Sequence, residues 1–294
     1  MTAESAYRGR FAPSPTGPLH LGSLVAALAS WLHARAAGGE WLVRVEDIDP
    51  PREVAGAAAR QLATLAAFGL DPDAPPLWQS TRADAYRQAL QRLAARNLTY
   101  PCRCSRADLA PFGGIHPSRC VATDAERAPA IRLAVGDAVI AFQDAVQGPC
   151  RQVLADTVGD FVIGRSDGLA AYQLAVVVDD ATQGITDVVR GADLLDSTPR
   201  QIHLQRLLGL PTPRYLHLPL VLDASGAKLS KSLAALPLDD NDPLPALRHA
   251  YAVLGQPLQR LPTSGNVSAW LRAAVAHFDP AAIPRTARSA FAHQ

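Results

Sequence analysis

The chain has 294 residues, 48% of them hydrophobic, and a formal net charge of +1; it is long enough to bury a sizeable core, which argues against a small isolated module, and too balanced in charge to be a globally basic nucleic-acid binder. No apolar run approaches the roughly 20 residues that span a bilayer, and the start MTAESAYRGR lacks the apolar stretch of a secretory signal, so a cytoplasmic protein with no membrane partner is expected. Four unevenly spaced cysteines are too few for a disulfide scaffold and leave reduced thiols or a metal site as the readings.

In chain order, Tyr7 to Ala12 reads as a short strand. A turn punctuated by Pro13, Pro15, Gly17 and Pro18 follows, then an apolar run at helical spacing through Leu21, Leu24, Val25, Leu28 and Leu32. Gly38-Gly39 ends that helix. Trp41 to Glu46 alternates as a strand, with Trp41, Val43 and Val45 on one face and Arg44 and Glu46 on the other, so a βαβ unit opens the protein. Helices are predicted from Val54 to Phe68, stopping at Gly69, and from Arg82 to Arg96, with Tyr86, Leu90 and Leu93 on one face. Between about Tyr100 and Gly148 the pattern changes to a Cys-rich loop and short strands (Ala130 to Val135, Val139 to Asp144), which reads as an insertion. The α/β pattern resumes with Phe161 to Arg165, Tyr172 to Asp180 and Ile185 to Arg190. A helix capped by Asp196 or Ser197 carries Pro199 near its first turn and Leu204, Leu207 and Leu208 on its apolar side. Two further helices are predicted, Pro243 to Leu254 and Val267 to Phe278. Alternating strands and helices predict an α/β layered fold.

Three groups of residues carry chemistry. The first is the string RFAPSPTGPLHLGS from Arg10 to Ser23, set between a strand and a helix. A helix N-terminus offers unpaired N–H groups and a positive dipole end to phosphate, Gly22 permits close backbone approach to a nucleotide, and His20 can donate to a phosphate oxygen. The second is Lys228-Leu-Ser-Lys231-Ser232, whose lysines and serines can surround a triphosphate with point charges and hydroxyl donors. Of 28 basic residues only these two are lysines, and a merely solvated basic loop would be expected to use arginine as the rest of the chain does. The third is Cys102, Cys104, His116 and Cys120. Three thiols and an imidazole within 19 residues match the four ligands of a tetrahedral structural zinc, one per chain, and Gly113-Gly114 lets the intervening loop fold back. The alternative is a set of small buried cysteines with a surface histidine. Cys150 stands apart and reads as core.

His20-Leu-Gly-Ser23 and Lys228-Leu-Ser-Lys-Ser232 resemble the HIGH and KMSKS signatures of class I aminoacyl-tRNA synthetases, and RFAPSPTGPLHLGS, LVRVEDIDPPRE, AYQLAVVVDD and VVRGADLLDSTPRQ resemble the glutamyl branch over most of residues 7 to 235. Ser23 stands where the first signature has its second His, and Leu229 where the other has Met, a swap that conserves volume. The resemblance implies a Rossmann-like class I catalytic core with a zinc-containing insertion and a short helical C-terminal region. It divides the chain into 1–99 (first half of the core), 100–150 (inserted zinc-binding, acceptor subdomain), 151–240 (second half with the KLSKS loop) and 241–294 (helical region). It implies ATP binding at His20, Gly22, Ser23, Lys228, Ser230 and Lys231, with His20, Lys228 and Lys231 catalytic and magnesium accompanying ATP. It implies L-glutamate binding at Arg10, Ala12, Ser14, Glu46, Tyr172 and Arg190. Arg10 and Arg190 are the fork donors for the substrate's side-chain carboxylate, and Glu46 is the acceptor for its ammonium, although Glu46 could instead simply pair with Arg44. The branch's corresponding metal site has a Tyr where His116 stands here.

Ordinary members of the branch continue into a large anticodon-binding region, whereas this sequence ends about 60 residues after Lys231. That plan resembles the glutamyl-Q enzymes of the branch. It implies ATP-dependent, tRNA-independent activation of L-glutamate and its transfer to queuosine in the anticodon of tRNA(Asp), with no DNA partner. The alternatives are a truncated enzyme charging a tRNA 3′ end and a non-catalytic tRNA-binding relative. One core accounts for the apolar helical faces, so a monomer is expected.

Overall fold

The computed structural model describes residues 6–222, 238–285 and 288–289. β1 (Arg8–Phe11), α1 (Leu21–Ala36) and β2 (Glu40–Val45) form the opening βαβ unit, with β1 and β2 parallel. α2 (Ala57–Ala67), β3 (Leu77–Trp78) and α3 (Ala83–Ala94) follow. Next come β4 (Thr99–Cys102), the short α4 (Arg106–Leu109), β5 (Ala130–Leu133), β6 (Val139–Asp144), β7 (Gly148–Val153), the short α5 (Leu154–Thr157) and β8 (Phe161–Gly164). α6 (Tyr172–Thr182), β9 (Asp187–Gly191), α7 (Thr198–Leu208), β10 (Arg214–Leu218) and β11 (Val221–Leu222) lead to α8 (Pro243–Val253), α9 (Val267–Ala276) and β12 (Arg288–Ser289).

The main sheet has seven strands in the order β3-β2-β1-β9-β10-β6-β7, parallel except for β7, which pairs antiparallel with β6. Chain order reverses between β1 and β9, the switch point where α/β sheets open a crevice beyond their carboxyl ends. β4, β5 and β8 form a separate antiparallel sheet. Strands of the 100–150 segment are therefore shared between the two sheets, because β6 crosses over to hydrogen-bond beside β10.

Both faces of the main sheet are covered, and the strand alternation shows how. Trp41 and Val43 of β2 join α1, α8 and α9 in one apolar core, whereas Leu42 joins α3, α6 and α7 in the other. Val189 and Val188 of β9 divide in the same way. Each fully buried side chain of this size contributes roughly 1.5–3 kcal/mol, and Leu24, Leu28, Leu32, Tyr251 and Trp270 share one cluster, so α8 and α9 are bound into the same core as the opening unit. Trp41 adds a buried hydrogen bond, its Nε1–H donating to Ser30 Oγ at 2.9 Å.

The predicted side-chain cap at Asp196 or Ser197 is corrected. A 3-10 turn, Ala192–Ser197, runs directly into α7, and Ser197 sits in helical backbone without a side-chain cap bond. A preceding helical turn supplies carbonyls where a cap would otherwise be needed. The Ser197 hydroxyl instead accepts from Gln173 Nε2 at 3.1 Å, tying α7 to α6.

Candidate active site

A cleft of about 500 Å³ opens at the switch point, and Arg10, Ala12, Ser14, Glu46, Tyr172 and Arg190 all line it. Four separate segments deliver them: the end of β1 and its following turn, the residue after β2, the first residue of α6, and β9. The six residues named from the sequence thus meet around one space.

Beneath the cleft lies an ion network that joins Arg10, Arg44 and Glu46 to Asp180, a residue the sequence reading did not single out. Arg44 is completely buried. It donates from Nη1 to Asp180 Oδ1 at 2.7 Å and from Nη2 to Glu46 Oε1 at 3.3 Å. Arg10 Nε donates to the same Asp180 oxygen at 3.2 Å. The polar face of β2 therefore points into a buried charge cluster, and Glu46 does pair with Arg44. Burial pushes the Glu46 carboxyl above its usual range, with Arg44 and Arg10 opposing only part of that. Burial acts in the same direction on Asp180, but Arg10 and Arg44 outweigh it and hold this carboxyl below the usual range. The available signal was Asp179-Asp180 at the end of the apolar stretch AYQLAVVV: a carboxylate carried into a core must be paired. Asp179 is the companion case, accepting from Tyr86 Oη at 2.6 Å and Gln79 Nε2 at 2.8 Å.

Arg190 is held differently. Its Nε donates to His217 Nε2 at 3.0 Å, and its Nη2 donates to Thr198 Oγ1 at 2.8 Å and to the Leu194 carbonyl at 3.4 Å. Its Nη1 is buried with no hydrogen-bond partner among the described residues. A guanidinium lining a cleft with an unsatisfied N–H group is a receptor for an anion.

On the nucleotide side, His20 is the N-cap of α1, its Nδ1 accepting the Ser23 backbone N–H at 3.3 Å. An imidazole accepting at Nδ1 carries its proton on Nε2 when neutral, which leaves that nitrogen as a donor beside the helix N-terminus. Gly22 makes this possible, since a Cβ there would lie 3.0 Å from His20 Cε1. The close approach that Gly22 permits here is that of the His20 ring. Lys228, Ser230 and Lys231 lie outside the described residues.

The cysteine cluster also assembles. Cys102, Cys104 and His116 present ligand atoms within 4.8 Å of one another. Cys102 Sγ lies 3.2 Å from His116 Nε2, and Cys120 Sγ lies 3.9 Å from Cys104 Sγ. Backbone N–H groups of Arg103, Cys104 and Val121 donate to the sulfurs of Cys120, Cys102 and Cys104; the backbone donors pull the Cys120 thiol down to about 7, whereas burial pushes the Cys104 thiol up to about 11. Gly113 and Gly114 both adopt positive φ, the reversal that folds the loop back. Tyr100 Oη sits 3.2 Å from His116 Nδ1 and donates to Asp160. Such an outer partner orients a ligating imidazole. Cys102, Cys104 and His116 offer soft and borderline donors that fit a thiophilic ion, while Cys120 lies beside Cys104 but outside that mutually close group. Cys150 is half-buried on β7, with its thiol directed to the Gly148 carbonyl.

The family model for class I tRNA synthetases (E and Q), catalytic domain, matches residues 6–111 and 119–242. The glutamyl-Q tRNA(Asp) synthetase of Xanthomonas campestris pv. campestris (strain 8004) is 61% identical over 282 residues, covering 96% of this chain and 94% of the relative. That of Burkholderia cenocepacia (strain HI2424) is 61% identical over 262 residues, covering 85% of this chain and 88% of the relative. The crystal structure of a glutamate tRNA ligase from Elizabethkingia meningosepticum in complex with its amino acid superposes with a TM-score of 0.80 at 24% identity, covering 97% of this chain and 67% of that one. The parallel sheet, the crevice at its switch point and these relatives agree: the chain belongs to the class I tRNA synthetases (E and Q) and, among these ligases, to the glutamyl-Q tRNA(Asp) synthetase family.

Proposed function

We propose that this cytoplasmic enzyme activates L-glutamate with ATP as glutamyl-adenylate, without needing tRNA for that step, and transfers the glutamyl group to queuosine in the anticodon of tRNA(Asp). The observation that carries the reading is the unpaired Arg190 Nη1 in a cleft whose remaining lining includes Arg10, Arg52 and the Glu46 carboxylate. Arg190 and Arg10 receive the substrate's side-chain carboxylate, Glu46 its ammonium, and Tyr172, Ala12 and Ser14 shape the space. The glutamate α-carboxylate then attacks the α-phosphorus of ATP in line and pyrophosphate departs. His20 Nε2–H and the amino end of α1 hold phosphate, with Gly22 and Ser23 forming that end, and Lys228, Ser230 and Lys231 stabilise the leaving pyrophosphate. Magnesium bound with ATP shares the phosphate charge. A hydroxyl of the acceptor attacks the activated carbonyl, and since adenylate is a good leaving group, positioning suffices without a dedicated base.

Residues 1–99 and 151–240 supply the catalytic core in this reading, 100–150 the acceptor subdomain and 241–294 a helical region. Zinc held by Cys102, Cys104, His116 and Cys120 ties the acceptor subdomain together. No helix of the described residues is long and apolar enough to cross a membrane.

Glutamate-dependent ATP–pyrophosphate exchange without RNA tests the first step, and Lys231→Ala is expected to abolish it. Labelled glutamate offered to tRNA(Asp) with and without queuosine, and to tRNA(Glu), tests the second. Label confined to queuosine-bearing tRNA(Asp) supports the proposal, whereas label at the 3′ end of tRNA(Glu) overturns it in favour of a conventional charging enzyme.

A further inference from the structure

Arg190, His217 and Asp144 stand on three neighbouring strands near their carboxyl ends. Arg190 of β9 is in register with His217 of β10, and Tyr215 of β10 is in register with Asp144 of β6. His217 and Asp144 are fully buried, and neither has a part in the chemistry above. Asp144 Oδ2 lies 2.6 Å from His217 Nδ1, while its Oδ1 accepts the backbone N–H groups of Val146, Gln147 and His217. A carboxylate so supplied with donors stays ionised and claims the imidazole proton at Nδ1. Burial disfavours a second proton on the ring, which keeps His217 neutral.

His217 Nε2 is therefore an acceptor, and it takes the Arg190 Nε–H. The opposite tautomer would aim one N–H at another. Tyr215 supports both groups: the Arg190 guanidinium carbon lies 5.5 Å from the Tyr215 ring centroid, and the His217 ring stacks on Tyr215 at 6.1 Å with 13° between planes. Arg10 and Arg44 are paired with the carboxylates of Asp180 and Glu46, but Arg190 is gripped by an imidazole, a hydroxyl and a carbonyl. Uncharged acceptors fix direction without cancelling charge.

We infer that Asp144 and His217, with Thr198, are positioning residues that select the substrate: they orient Arg190 while leaving its charge uncompensated, so that a substrate carboxylate completes the site and a carboxamide does not. The inference deepens, and rests on, the glutamate-activating reading. A buried charge left short of a partner favours an anionic ligand over its neutral isostere.

Pyrophosphate exchange with the full-length protein tests it. His217→Asn keeps a donor for Asp144 and removes the acceptor for Arg190. We expect its KM for glutamate to rise roughly 10- to 100-fold, the loss of a hydrogen bond to a charged group. KM for ATP should hold within about twofold, and preference for glutamate over glutamine should narrow. His217→Gln, whose carbonyl oxygen can reach the Nε2 position, should recover part of the loss. Thr198→Val preserves shape and removes only the hydroxyl, so it carries the test if the His217 variants do not fold; a severalfold rise in KM for glutamate alone is expected. Parallel rises in both KM values, no advantage of Gln over Asn, or an unchanged KM for glutamate overturn the inference while leaving the proposed activity standing. A wild-type protein without glutamate-dependent exchange removes both.

Discussion

Asp180 pairs with two arginines at once, one of them wholly enclosed. Replacing it with asparagine leaves the buried Arg44 charge with Glu46 and the neutral Gln183 amide, and breaking a buried pair in this way costs about 3–5 kcal/mol. Denaturant unfolding of Asp180→Asn should show that loss as a lower midpoint at neutral pH. The pH dependence follows from the direction of each shift. Asp180 has a depressed folded value, so its stabilisation is present above the unfolded carboxylate value of about 3.9 and is lost as pH falls through the lower, folded one. Glu46 is raised, so its contribution is full below about pH 4.3 and is lost as pH rises through its folded value. Above that value the fold bears the cost of ionising a buried Glu46. Glu46→Gln removes this titration, so its Tm relative to wild type is expected to improve as pH rises through the folded Glu46 value, and it is expected to increase KM for glutamate by about tenfold or more because the ammonium loses its acceptor. A Tm difference that does not change with pH would count against this assignment.

The first turn of α1 combines a structural and a chemical duty in one side chain. His20 caps the helix through Nδ1 and keeps Nε2 as a donor. Asparagine is a strong N-cap but cannot reach as far, so His20→Asn should keep stability within about 0.5 kcal/mol while slowing exchange by about 100-fold or more. A variant that loses Tm and activity in proportion would mean the histidine serves only the helix. The cysteine loop between β4 and β5 is an element of another kind. It holds a 4-residue helix, positive-φ glycines and converging sulfurs, with little apolar packing of its own. With zinc on the sulfurs, as proposed above, its order is expected to depend on the metal. Metal analysis of protein purified without added zinc should find about one ion per chain. Stripping it with a chelator should lower Tm and speed amide exchange between Cys102 and Cys120 more than in the main sheet; a folded loop with protected amides after stripping would refute the structural role.

Across the whole molecule, the elements were legible where neighbouring residues decide them. The opening βαβ unit and the helices over Pro243–Val253 and Val267–Ala276 follow from apolar spacing and from Pro and Gly punctuation. The thiol and imidazole cluster was legible too, because Cys102, Cys104, His116 and Cys120 share one short stretch of chain. The cap expected at Ser197 was not found, since a 3-10 turn arrives where the local pattern shows only polar residues. Asp180, Asp144 and His217 escaped the sequence reading because each looks ordinary beside its neighbours. Arg44 and Asp180 are 136 residues apart, and Asp144 and His217 are 73 apart. Residue type and spacing by themselves determined the opening βαβ unit, most of the helices and the thiol cluster, but not β3, β4, β7 or β10. Strand order and the packing of α6 and α7 on the sheet decided which buried charges meet and how Arg190 is held. An ion pair's energy depends on separation and burial, and neither exists until distant strands lie side by side.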